Sequence, residues 1–482
     1  MKMERKTQIV QTVTASDMRA LRLGRDTAAD ADLVELRLDG VGDLDVAGAL
    51  RDRVRPVIVT CRPVWEGGAF AGDESTRQRI INEAVTLGAE FVDVERRAPW
   101  RPEREGTTTQ LVLSDHDFTQ VPDDVAARMV DMRREGADVV KIAATPQSAA
   151  ECLALRDAAS GQPGTVVIGM GGFGRITRAL PARFGSCWTY AGTAAPGQYS
   201  VSDLVTQFRV RDVTDATEVY AVTGRPLEHS ASPAMHNAAF RAMGLDAVYV
   251  PLQAASVEDA QLMADALGIQ GMSVTAPFKR GWDVTLDDEA SRALGAVNTL
   301  KRHQGTWLGR NVDGEGFLDA CDGHRIELNG RRTLVLGAGG AARAVGRALR
   351  GRRSVVSICA RRADEAAALA SAIGATCEPW PARGHWDLIV NATPVGTWPE
   401  QWASPLAGAT AQAAVVYDLV YNPEETALLQ AARAAGAQVI GGLEMLAGQA
   451  ARQCIWWTGQ TPSVALLAEA ARAWIMADNH SR

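Results

Sequence analysis

The chain has 482 residues, of which 46% are hydrophobic and 22% charged, with a formal net charge of -7. That length exceeds what one hydrophobic core supports and argues for about three domains of ordinary globular composition. The acidic balance argues against a nucleic-acid or anionic-membrane surface, so basic sites should be local and serve small anionic molecules.

The seven cysteines (61, 152, 187, 321, 359, 377 and 454) are scattered, without a CxxC pair. They read as reduced thiols, with neither a disulfide framework nor a metal site. No signal-peptide core and no apolar run of about 18 residues occurs, so a cytoplasmic protein is expected.

From the N-terminus, β-type runs near 8–13, 32–39, 56–62, 91–95, 110–116, 139–144, 165–170 and 186–192 alternate with amphipathic stretches such as 75–88 and 121–135. Eight strand-helix units of this size predict a (β/α)8 TIM barrel, with a doubly wound open sheet as the competitor. Period-two alternation in the second run puts Leu33, Glu35, Arg37 and Asp39 on one face and Val34, Leu36 and Leu38 on the other. The apolar face should meet the helices, which turns Glu35 and Arg37 inward. Arg62 closes the third run and His116 the fifth, so these groups should gather at the carboxyl ends of the strands.

Lys141 lies in the middle of the sixth run, VVKIAA, which is otherwise apolar. A lysine there loses most of its hydration, which favours the neutral amine and makes it a candidate Schiff-base nucleophile. A lysine that ends the strand and reaches solvent fits the strand pattern equally well.

The ordered set ELRLD, TCR followed by EGG at 66–68, SDHDF at 114–118, VVKIA and APGQ at 195–198 resembles type I 3-dehydroquinate dehydratase over about residues 8–210. The resemblance implies that Lys141 forms an imine with the ring ketone of 3-dehydroquinate. His116 would then remove a proton from the neighbouring carbon and return it to the departing hydroxyl. It further implies that Glu66 holds and polarises His116, and that Arg178 and Gln198 clamp carboxylate and hydroxyl groups. Glu35, Arg37 and Arg62 would complete the hydroxyl-binding wall. Ala194 stands where a serine is expected.

Residues 207–218 are polar and charged and read as a short, stiff connector. The chain restarts with a strand at 219–224 and then HSASP, where Ser230 and Ser232 present hydroxyls before a helix beginning near Ala234. Ser232 is equally placed to cap that helix, with Pro233 at its first position. Farther on, Lys279 and Asp313 form a plausible acid-base pair. The segment TLVLGAGGAARAV at 333–345 is strand, glycine turn and helix, the context of dinucleotide binding. Gly337 permits the turn, Gly339 admits the pyrophosphate, and the helix N-terminus supplies N–H donors. The next strand ends in Arg361 and Arg362 rather than a carboxylate, which favours NADP over NAD.

From about residue 219 the motifs HSASP, SVTAPFK, GAVNT, NVDG, GAGGAA, NATPVG, YDLVYNP and GGLEMLAGQA resemble shikimate dehydrogenase. The resemblance implies a catalytic Lys279–Asp313 pair and substrate binding by Ser230, Ser232, Thr275, Asn298, Tyr421 and Gln449. Cofactor binding would fall to Gly337, Ala338, Gly339, Gly340, Ala341, Arg361 and Arg362, with Asn391 and Thr393 near the nicotinamide side. Ser273, Ala360 and Thr397 depart from the common pattern. The C-terminal helices should return to the substrate domain, since Gln449 follows the nucleotide domain.

The expected architecture is α/β, with a barrel at 1–212, a substrate-binding domain at 218–318 completed by helices at about 446–482, and a Rossmann domain at 319–445. The expected function is dehydration of 3-dehydroquinate to 3-dehydroshikimate, then NADPH-dependent reduction to shikimate. Two alternatives stand beside it. One is a catabolic NAD-dependent quinate or shikimate oxidoreductase, and the other a Schiff-base aldolase with a regulatory nucleotide-binding half.

Overall fold

The computed structural model describes residues 6–194 and 197–480. Ala195 and Pro196 of the APGQ motif lie outside the described residues. By their contacts the described residues form two compact units, 1–228 with 246–269, and 229–245 with 270–482.

The first unit contains eight parallel strands: β1 (Gln8–Thr14), β2 (Leu33–Arg37), β3 (Val57–Thr60), β4 (Phe91–Glu95), β5 (Gln110–Asp117), β6 (Val139–Ala144), β7 (Thr165–Gly169) and β8 (Trp188–Ala191). They are hydrogen-bonded in the order β7-β6-β5-β4-β3-β2-β1-β8. The remaining seam is closed by the Cys187 N–H donating to the Thr165 carbonyl at 2.9 Å, and by the Val167 N–H donating to Ser186 Oγ at 2.9 Å. The sheet is therefore a barrel and not an open doubly wound layer.

The alternation read from the sequence sorts the side chains. Val34, Leu36 and Leu38 pack outside with Val57, Val59, Val92 and Val94, against Leu21, Ile81 and Val85 of the surrounding helices. Val10, Leu33, Ile58, Val112, Val139 and Val166 fill the interior with Trp188, whose ring meets Phe91 edge-on at 5.5 Å. This apolar plug occupies one end, which leaves the carboxyl ends of the strands for polar groups.

Two further parallel strands, Glu218–Gly224 and Ala247–Gln253, and the helix Val257–Ala266 belong largely to the same unit. The reason is specific: the Asp259 carboxylate accepts the N–H groups of Ala149 (3.0 Å) and Ala150 (2.8 Å), just beyond β6. The stretch 218–318 is thus shared between the two contact units.

The second unit holds a six-stranded parallel sheet ordered Thr376–Glu378, Val355–Cys359, Arg332–Leu336, His385–Asn391, Gln412–Asp418, Gln438–Ile440. In chain order that is 3-2-1-4-5-6, with the reversal between its first and fourth strands, where such sheets bind ligands. The hairpin Thr299–His303/Thr306–Arg310 precedes helix Asp313–Gly323. The penultimate helix, Gly442–Thr458, returns to that helix at close range. A Cβ added to Gly316 would lie 2.7 Å from the Gln449 nitrogen, so glycine is required there. Among the described residues no helix is long and apolar enough to cross a membrane.

Candidate active sites

At the carboxyl ends of the barrel strands a cavity of about 420 Å³ is lined by Glu35, Arg37, Arg62, Glu66, His116, Lys141, Arg178 and Gln198, among others. Every barrel residue singled out from the sequence is in this wall. Register explains the gathering: Lys141 pairs with Ser114, and two residues on along β5, His116 faces the same interior.

Lys141 is 4% exposed, so it does not end the strand in solvent. Its surroundings are not the apolar ones that the strand pattern implies. Nζ donates to Asp93 Oδ2 at 3.0 Å, lies 3.7 Å from Glu35 Oε1 and sits 4.4 Å from the centre of the Tyr190 ring. Glu35 is itself held by the hydroxyls of Thr12 (2.8 Å) and Thr60 (3.1 Å). Asp93 also accepts from Ser114 Oγ at 2.6 Å and from Arg62 at 3.1 Å. Burial pushes the Asp93 carboxyl up, but the charges of Arg62 and Lys141 outweigh it and hold it well below the usual carboxylate range.

Arg62 is the hub. One of its terminal nitrogens donates to Glu95 and to Ser114, each at 2.9 Å, and lies 3.5 Å from His116 Nδ1. On its other side, His116 Nδ1 is 3.0 Å from Glu66 Oε1, which also accepts the His116 backbone N–H at 3.0 Å. Burial pushes the Glu66 carboxyl up to about 7. Burial, then the charges of Arg62 and Lys141, push His116 well below its ordinary value, so its ring is neutral near pH 7. With Nδ1–H directed at Glu66, the Nε2 lone pair is left available as a base. Arg37 forms a two-pronged pair with Asp39, both contacts 2.8 Å. Arg178 is buried and donates to the Gly169 carbonyl at 2.5 Å, while its Nε meets no hydrogen-bond acceptor among the described residues, so it is a cation suited to a carboxylate.

Asp93, Glu95, Ser114 and Tyr190 were not singled out from the sequence. Asp93 and Glu95 alternate with Val92 and Val94 in FVDVE, the same period-two signal that identified Glu35 and Arg37.

In the second unit, Lys279 Nζ donates to Asp313 Oδ2 at 2.7 Å, and Asn298 Nδ2 donates to Asp313 Oδ1 at 2.8 Å. Asn298 also lies 3.4 Å from Gln449 Oε1, while its own Oδ1 accepts from Thr299 Oγ1 (2.8 Å) and the Val312 N–H (2.9 Å). Four of the residues singled out thus form one hydrogen-bonded cluster. Ser230, Ser232, Thr275 and Tyr421 make no hydrogen bond to it among the described residues. Ser232 opens its helix but does not cap it: the cap residue is Ala231, with no side-chain bond. Ser273 donates to Gln453 at 2.8 Å, which in turn donates to Thr299 Oγ1 at 3.1 Å and so backs the cluster.

A cavity of about 700 Å³ at the sheet's reversal point is lined by Gly337, Ala338, Gly339, Arg361, Arg362 and Thr393, with Glu365 and Trp380. Gly337 has φ 113° and lies where a Cβ would come 3.0 Å from the Ala392 carbonyl, so both conformation and space require glycine. Gly340 and Ala341 open helix Gly340–Gly351, and nothing stands within 4 Å of a Cβ at Gly339 or Gly340. That open helix end fits a pyrophosphate, and the two guanidiniums fit a further phosphate. Arg362 is paired with Glu365 at 2.7 Å. Asn391 is wholly buried behind the loop, where it donates to Asp418 at 2.8 Å and accepts from Thr393 Oγ1 at 2.7 Å.

Comparison with known proteins finds relatives for both halves of the chain. Residues 9–215 match the type I 3-dehydroquinase family model, 222–300 the shikimate dehydrogenase substrate binding domain, and 442–472 the shikimate 5'-dehydrogenase C-terminal domain. The chain is 40% identical over 261 residues to the NADP(+) shikimate dehydrogenase of Shouchella clausii, covering 51% of this chain and 95% of that one. The crystal structure of Thermus thermophilus shikimate 5-dehydrogenase in complex with NADP(H) and shikimate is similar at 37% identity and a TM-score of 0.50, over 53% of this chain and 99% of that one. Over 469 residues the chain is 30% identical to the chloroplastic bifunctional 3-dehydroquinate dehydratase/shikimate dehydrogenase of Arabidopsis thaliana, covering 89% of this chain and 78% of that protein. The chain therefore belongs to the bifunctional 3-dehydroquinate dehydratase/shikimate dehydrogenase family.

Proposed function

We propose that the protein dehydrates 3-dehydroquinate to 3-dehydroshikimate in the barrel and reduces that product to shikimate, with NADPH, in the second module. The observation that carries the reading is the convergence of Lys141, His116 and Glu66 in one cavity wall, on a barrel joined to a Lys279–Asp313 pair.

In the first site Lys141 gives up a proton and its free amine attacks the ring ketone; the proton goes to the departing ketone oxygen, which leaves as water, and a protonated imine with the positive charge on nitrogen remains. Asp93 and Glu35 anchor that charge. His116 Nε2 takes the proton from the adjacent carbon as the electron pair moves toward the imine nitrogen. The same histidine returns the proton to the departing hydroxyl, which leaves as water, and hydrolysis frees the lysine. Glu66 holds the histidine in the required tautomer. Arg178 and Gln198 receive the substrate's carboxylate and hydroxyl groups, with Arg37 and Arg62 in the wall.

In the second site Lys279 donates a proton to the carbonyl oxygen as it is reduced and regains one from solvent, while Asp313 holds its ammonium in place. Asn298 and Gln449 fix the ring hydroxyls, with Ser230, Ser232, Thr275 and Tyr421 as the remaining substrate contacts. NADPH, when bound, supplies the hydride. Gly337 to Ala341 would seat its pyrophosphate and Arg361 and Arg362 its extra phosphate, with Asn391 shaping the loop that carries Thr393. Arg361 and Arg362 support NADPH against the NAD-dependent quinate alternative, and the Glu66–His116 pair supports dehydration against the aldolase.

This reading assigns the barrel to 1–212, the substrate domain to 218–318 with 446–482, and the nucleotide domain to 319–445, in a cytoplasmic protein. The test is a two-stage assay. Dehydroquinate alone should yield dehydroshikimate, and NADPH added afterwards should be consumed; no enone product in the first stage would refute the assignment.

A further inference from the structure

Arg77, on helix Glu74–Thr86, does not line the barrel cavity, yet it is 0% exposed. Its Nε and one terminal nitrogen donate to Glu74 at 3.1 and 2.6 Å. The other terminal nitrogen donates to Glu95 and reaches the Cys61 carbonyl at 3.4 Å. The guanidinium lies 4.8 Å from the centre of the Trp100 ring and 5.8 Å from that of Trp65. A cation buried so completely persists only where its charge is matched. The second oxygen of Glu95 accepts from Arg62 at 2.9 Å, Arg62 donates to Asp93 at 3.1 Å, and Asp93 accepts from Lys141 at 3.0 Å. Positive and negative groups therefore alternate without a gap from Arg77 to Lys141.

We propose that Arg77 is a positioning residue for the dehydration step: it holds Glu95 ionised and turned to Arg62, and so fixes Arg62 between Asp93 and His116. The inference rests on the reading of Lys141 and His116 as the reacting pair. Burial pushes the Glu95 carboxyl up; Arg62 pulls it down, Asp93 adds to the push, and Arg77 pulls it down again. Loss of the Arg77 charge moves Glu95 farther toward its neutral form. Arg62 then loses one of its two carboxylate partners and is free to shift beside His116 Nδ1, 3.5 Å away.

The test uses the full chain carrying Arg77→Met or Arg77→Lys. Arg77→Met should lower kcat for dehydration by about ten- to a hundredfold, the scale of a small misplacement of reacting groups, with little change in KM. Arg77→Lys should recover part of the rate, and NADPH-dependent reduction of dehydroshikimate should be unchanged in both. If Arg77→Met does not fold, the double variant Arg77→Met/Glu95→Gln removes both charges of the pair and should fold while remaining slow. A wild-type kcat in the folded single or double variant overturns the role of Arg77. Borohydride trapping on the wild-type protein separates the two layers: a labelled Lys141 with an unaffected Arg77 variant removes only the positioning role, whereas an unlabelled Lys141 removes both.

Discussion

Asp93→Asn keeps the size of the side chain and removes only its charge, which isolates what that carboxylate does for the barrel. Asp93 is wholly buried and accepts from Arg62 (3.1 Å), Lys141 (3.0 Å) and Ser114 (2.6 Å). Without it two buried cations share one carboxylate fewer. Removing one partner of a buried pair costs about 3–5 kcal/mol, and the amide's remaining acceptor places this case near the lower end. About 3 kcal/mol corresponds to a drop in Tm of about 6–12 °C for a unit of this size, and to a large share of a stability of about 5–15 kcal/mol. The folded-state carboxyl is held below its unfolded value, so its contribution is present above the usual carboxylate range and is lost as pH falls through the depressed value. Thermal unfolding followed by circular dichroism should therefore show the full gap at neutral pH, narrowing only in strong acid. A variant melting within about 2 °C of wild type at pH 7 would refute the claim that Arg62 and Lys141 depend on this carboxylate.

Three further outcomes follow from the two sites. Lys279→Ala should abolish NADPH-dependent reduction and leave dehydration intact, since its amine contacts Asp313 at 2.7 Å; unchanged reduction by stopped assay removes it from the mechanism. Arg361→Ala should raise KM for NADPH far more than for NADH, and equal changes would contradict a phosphate-binding role. Dehydration should slow as pH falls through about 7, because Glu66, pushed up by burial, takes a proton there and ceases to accept from His116 Nδ1–H. Glu66→Gln should be slow at all pH values and lack that limb in its pH-rate profile, so a variant keeping the limb would count against the assignment.

The barrel was legible because its two signals reinforce each other: eight β-type runs alternating with helix-type stretches, and polar residues at alternate positions inside them. β4 and β6 run as expected, and β1 and β5 end one residue later. Asp93 and Glu95 escaped notice although they obey the same alternation as Glu35 and Arg37, because the apolar neighbours made FVDVE read as plain strand. Arg77 could not be found from its helix, since its meaning depends on a carboxylate 18 residues away in sequence. The turn at HSASP was read with two open roles for Ser232, and the backbone removes the capping role: Ala231 takes the cap position in a helical conformation. The return of Gln449 to Asn298 was expected from chain order, but its physical means, two glycines at 316 and 448 letting two helices touch, is a tertiary property. For the same reason the grip of Asp259 on the loop beyond β6 left no local trace.

The most direct measurement is borohydride reduction of the protein in the presence of 3-dehydroquinate, followed by peptide mass mapping. The account predicts one stable adduct on the peptide carrying Lys141, and its loss in Lys141→Ala while reduction by NADPH persists. An inactivated barrel with no adduct, or an adduct on another lysine, would contradict covalent catalysis by Lys141.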